Sequence, residues 1–170
     1  MEIISRFIDL CLFRASPSDL PVSHSLLKIT LFSYFVLAVI VNQLDTTWNI
    51  SFIVSLADVL LMVVITYLLL NYRGFQARYT QTVTALAGTG CCMSIIGFPI
   101  LWWFFQIDPE QQAVSFAMLL MVALLLWSLM ITAQIFRHSL EIKAGTATLI
   151  TLAYITASIM ITGLIMSGAA

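Results

Sequence analysis

"ISFIVSLADVLLMVVITYLLLNY", residues 50–72, carries a single charged side chain, Asp58. A helix needs about 20 apolar residues to cross the hydrocarbon of a bilayer, and this run supplies them. A carboxylate near the middle of such a span costs about 2.5–3.5 kcal/mol on insertion scales, so it is expected to face other helices rather than lipid. The neighbouring residues agree. Ser51, Ser55, Asp58, Met62 and Thr66 recur at helical spacing along one stripe, while the other faces are Val, Leu, Ile and Phe.

The same composition continues along the chain. Its 170 residues are 61% hydrophobic and 9% charged, with mean hydropathy +1.04. Soluble domains carry about 25% charged residues. A globule this poor in charge could not cover its surface, so lipid is the expected solvent for much of it. The net charge of −1 offers no electrostatic footprint for nucleic acid.

Five spans are expected, at about residues 26–44, 50–71, 82–105, 113–135 and 146–167. Breakers part them: "NQLDTTWN", "NYRGFQARYTQ", "QIDPEQQ" and "RHSLEIKAG". Short connections make successive helices antiparallel neighbours in one all-α bundle. No internal repeat is evident, which removes the basis for an inverted-repeat transporter. All seven basic residues fall on one side of this arrangement: Arg6, Arg14, Lys28, Arg73, Arg78, Arg137 and Lys143. By the positive-inside rule that side is cytoplasmic, so the N-terminus is expected inside and the C-terminal "SGAA" outside a bacterial inner membrane. Trp48, Trp102 and Trp103 then lie at the outer boundary, Tyr72 and Tyr79 at the inner one, and Asp108 and Glu110 flank Pro109 in a solvated outer turn.

Residues 1–22 form a separate segment ahead of the bundle at 23–170. In "MEIISRFIDLCLF", Glu2, Ser5, Arg6 and Asp9 share one side of a helical wheel and Ile3, Ile4, Phe7, Ile8, Leu10 and Cys11 the other. This predicts a short amphipathic helix at the membrane surface. "RASPSDLP" ends it. Two acidic residues and the lack of an A-x-A site argue against a secretory signal. The helix either packs on its own bundle or docks a partner or curved lipid.

Candidate chemistry is sparse. The fifth span carries Thr148, Thr151, Ser158 and Thr162 on one face, and Ser158 and Thr162 bracket the depth of Asp58. With Ser55 they make a candidate intramembrane polar site, in which hydroxyls of the fifth span bond to Asp58. Such a site either glues helices together or takes a proton or ligand. Thr84, Gly88 and Cys92 give a small-residue spacing that permits close helix approach, and Gly88-Thr89-Gly90 with Pro99 are expected to bend the third span. "GTG" lacks the lysine and the strand-to-helix context of a phosphate loop. Cys11, Cys91 and Cys92 have no metal spacing and read as small apolar residues, lipidation of Cys11 being the alternative. His24 and His138 have no metal partners in the sequence. No Ser-His-Asp, Cys-His or paired-carboxylate pattern emerges, so no enzyme, cofactor or metal is expected.

"GFQARYTQTVTALAGTG" (74–90) and "LLLWSLMITAQIFRHSLEIKAG" (124–145) resemble the Yip family of membrane proteins. The order of features agrees from about residue 20 onward: a surface segment, five spans, a basic-aromatic stretch before a small-residue third span, and a tryptophan in the fourth. The resemblance implies a non-catalytic membrane organiser or accessory subunit. Eukaryotic members act in vesicle trafficking, bind small GTPases and shape membranes. No long arm precedes the first span here, so GTPase binding is not among the expectations. On this reading Arg73, Phe75, Arg78, Arg137 and His138 make a cytoplasmic face for lipid and for a membrane or cytoplasmic protein partner, which a second copy of the chain could also be. A small proton-linked transporter or exporter using Asp58 is the alternative.

Five crossings place the termini in different compartments. With a tag at each end, protease added to intact spheroplasts is expected to remove the C-terminal tag and spare the N-terminal one.

Overall fold

The computed structural model describes residues 2–106 and 113–168; most of "QIDPEQQ", with Asp108, Pro109 and Glu110, and the final two alanines lie outside the described residues. Among the described residues the regular structure is helical, in six α-helices: α1 (Glu2–Cys11), α2 (His24–Asn42), α3 (Trp48–Arg73), α4 (Tyr79–Gln106), α5 (Ala113–Leu140) and α6 (Ala144–Gly168). Five of these, α2 to α6, are long and apolar enough to cross a membrane. The protein is an all-α polytopic membrane protein. Their outward faces stay apolar, with Phe32, Leu60, Leu119 and Leu149 each more than half exposed. That is the surface lipid requires.

α4 is the hub. It packs on α2, α5, α1 and α3, and half of its apolar window is buried. Three glycines let neighbours approach its backbone, each toward a different partner. A Cβ on Gly88 would sit 2.1 Å from the Phe7 ring of α1, one on Gly90 2.6 Å from the Tyr34 ring of α2, and one on Gly97 2.8 Å from Leu124 of α5. The stripe of Thr84, Gly88 and Cys92 therefore receives α1, not another span. α4 runs without interruption through Gly88-Thr89-Gly90 and Pro99.

The amphipathic helix α1 does more than lie on the surface. Phe7, Leu10 and Cys11, at helical spacing, are buried in the same core as Leu86, Met93, Ile135 and Phe136 of the spans. The indole Nε1 of Trp127 donates to the Cys11 carbonyl at 3.0 Å, satisfying one of the orphan acceptors at the end of α1. Leu20 is buried as well, and Gln81 Nε2 donates to its carbonyl at 2.7 Å. The segment ahead of residue 23 thus shares the bundle's core. Ile3, Ile4 and Ile8, which flank these buried residues on the apolar side of α1, stay exposed, as does Leu12 just past its end.

Three helices end alike. Phe13 (φ 61), Gly74 (φ 76) and Glu141 (φ 51) take the left-handed conformation just past α1, α3 and α5. The following amides then reach back over the last turn: Arg14 N to Asp9 O at 2.8 Å, Phe75 N to Leu70 O at 2.9 Å and Ile142 N to Arg137 O at 3.3 Å. These stops leave shorter loops than the sequence implied. α5 continues through Arg137 and His138 to Leu140, leaving a three-residue turn before α6.

The contact between Phe7 and Gly88 is testable. Gly88→Ala is expected to lower thermal stability in detergent and to expose Cys11 to maleimide in a Cys91→Ala/Cys92→Ala background. Adding Phe7→Ala should recover part of the loss, because the new methyl fills space the ring has left.

Candidate functional site

Asp58 sits ten residues into α3, about 15 Å from its start at the helical rise per residue. That depth is near the middle of a 30 Å hydrocarbon layer. The stripe predicted around it faces inward: Ser51, Ser55, Met62 and Thr66 are buried and Asp58 is partly so. Each carboxylate oxygen accepts one hydrogen bond. Tyr34 Oη of α2 donates to Oδ2 at 2.7 Å, and Ser158 Oγ of α6 donates to Oδ1 at 2.7 Å. One carboxylate therefore links three helices.

Two of the residues grouped with it stand elsewhere. Thr162 lies one turn beyond Ser158 and makes no hydrogen bond to Asp58. Ser55 accepts from Asn42 Nδ2 at 3.0 Å instead. It belongs to a separate network at the α2–α3 turn, in which Gln43 Nε2 donates to Ser51 Oγ at 3.2 Å and Thr46 Oγ1 lies 2.7 Å from the same oxygen. Thr66 Oγ1, two turns beyond Asp58, is buried with no partner among the described residues.

Tyr34 is a partner that the stripe around Asp58 does not reveal. Its phenol in the middle of a span was the available signal, since a buried tyrosine hydroxyl needs an acceptor. The tyrosine also borders a small chamber of 100 Å³ with Thr89, Ser128, Thr132 and Tyr154. Tyr34, Gly90, Met93 and Ser128 are shared with a larger cavity of 290 Å³ that extends between α4 and α5 past Gly97 and Leu124.

The second candidate region gathers at the end where α3, α5 and α1 stop. Arg78 Nη2 pairs with Glu141 Oε1 at 2.6 Å, and its Nη1 donates to the carbonyls of His138 and Ser139 at 3.4 and 3.5 Å. The guanidinium also stands 4.8 Å from the centre of the Phe75 ring. Arg73 Nη2 donates to the Leu140 carbonyl at 3.3 Å. Arg73 and Arg78 thus neutralise the negative end of the α5 dipole. Arg137 and His138 are exposed on the last turn of α5, and His138 Nε2 lies 3.0 Å from Gln134 Nε2. A polar cleft of 250 Å³ opens beside them, between Ser16, Gln81, His138 and Glu141. Among the described residues no three His, Cys, Asp or Glu side chains are grouped for a metal.

Comparison with protein-family models, with curated proteins and with solved structures finds no match.

Replacing Asp58 should separate charge from bonding. Asn can still accept from Tyr34 and can donate to Ser158, so Asp58→Asn is expected to unfold within about 1 kcal/mol of wild type. Asp58→Leu leaves the Tyr34 hydroxyl without an acceptor and should cost about 1–3 kcal/mol, read from unfolding in mild detergent.

Proposed function

We propose that the protein is a non-catalytic membrane organiser or accessory subunit of the Yip-like kind, inserted in a bacterial inner membrane with its N-terminus in the cytoplasm. The observation that carries this reading is the seating of α1. Phe7, Leu10 and Cys11 fix the helix to the spans, while Ile3, Ile4, Ile8 and Leu12 remain exposed beside the basic end. A helix held in this way presents an apolar edge that a partner helix or a deformed leaflet can take up. Arg137 and His138 stand exposed at the same end of the bundle as Arg73, Phe75 and Arg78, and add charge to that face.

A second reading has its own support. The Tyr34–Asp58–Ser158 cluster adjoins the 100 Å³ chamber through Tyr34, and through it the 290 Å³ cavity. A carboxylate one hydrogen bond from such a cavity suits a proton-linked transporter or exporter.

Purification from native membranes with a C-terminal tag is expected to retrieve a stoichiometric partner. Ile4→Glu/Ile8→Glu, which leaves the buried face of α1 intact, should release it. Proteoliposomes should show only background flux, unchanged by Asp58→Asn. Solute or proton flux that disappears in Asp58→Asn would replace the organiser reading with the transporter one.

A further inference from the structure

A groove of 310 Å³ runs down the side of the bundle between α5 and α6. Phe13, Leu129, Met130, Gln134, Arg137 and Ala144 are among the residues that line it. Leu129 lies eight residues before Arg137 on α5, so the walls reach about 12 Å below the guanidinium. The lining is thus graded, cationic at the membrane surface and apolar within the hydrocarbon.

Two further observations set this groove apart from an ordinary furrow between helices. Arg137 is exposed, and among the described residues its guanidinium has no hydrogen bond or ion pair, whereas Arg73 and Arg78 are both engaged with α5 and the turn after it. Phe13 is held at φ 61, a position that glycine usually fills because a side chain there is strained. That conformation ends α1, which packs on α4, and still brings the Phe13 ring into the wall of a groove between α5 and α6.

We infer that this groove holds one anionic glycerophospholipid from the leaflet at the basic end, its phosphate at Arg137 and an acyl chain along Phe13, Leu129 and Met130. Charge complementarity selects the headgroup: the unpaired guanidinium offers paired N–H donors to a phosphodiester. A soluble anion would gain nothing from the apolar wall below. The inference deepens the reading of this end as a lipid-facing surface and rests on it.

Native mass spectrometry of the full chain, titrated with phosphatidylglycerol or phosphatidylcholine in detergent, tests the site. Wild type is expected to hold one phosphatidylglycerol in preference to phosphatidylcholine. Arg137→Gln should weaken phosphatidylglycerol about 5-fold, as loss of one basic contact to an anionic membrane does, and leave phosphatidylcholine unchanged. Ala144→Phe, at an exposed position, should fill the groove and weaken both lipids, with the melting temperature checking its fold. Lys28→Gln, on α2, should change nothing. Equal retention of the two lipids by wild type, or undiminished phosphatidylglycerol preference in Arg137→Gln, overturns the site. A preparation that keeps this preference yet retrieves no partner loses the organiser reading alone.

Discussion

A carboxylate inside a bilayer must be given hydrogen-bond donors by the protein, because lipid has none to offer. Asp58 has no cation partner among the described residues, and the bundle closes so that two hydroxyls reach it. The donors come from α2 and α6, which are far apart in the chain. Meeting them on α3 fixes the rotation of all three helices at one depth. Burial alone could not do this, because Leu and Val slide past one another at little cost in lipid. The network of Asn42, Gln43, Thr46, Ser51 and Ser55 fixes the same α2–α3 pair nearer the turn.

Packing supplies what these bonds do not. α4 exposes bare backbone at three glycines, and a different neighbour fills each: Phe7, Tyr34 and Leu124. Tyr34 serves both schemes, lying against Gly90 while its hydroxyl holds Asp58. The contact geometry and the polar geometry are therefore coupled through one side chain. At the basic end, Arg73 and Arg78 bind the carbonyls that close α5, and Glu141, itself in a left-handed conformation, meets Arg78.

Much of this could be read from residue order. Hydropathy and breakers gave five spans, because lipid imposes length and composition on every crossing. The Ser51–Thr66 stripe told which face of α3 turns inward, because helical periodicity is local. Ser158 was legible for the same reason. Thr162 shares the face of Ser158 but lies one turn farther along α6, and sharing a face does not bring a hydroxyl within reach of the carboxylate. The seat of Phe7 was hidden, since an amphipathic wheel says that α1 meets a surface but not which glycine receives it. Phe13 and Glu141 gave no warning either, because glycine is the residue that usually marks a left-handed turn and neither position carries one.

The place of α1 also has a consequence for how the molecule is built. Its residues precede the spans in the chain, yet Gly88 and Trp127, which receive Phe7 and the Cys11 carbonyl, are made only with the third and fourth spans. α1 is therefore made before α4 and α5 but can take its seat only after both are present.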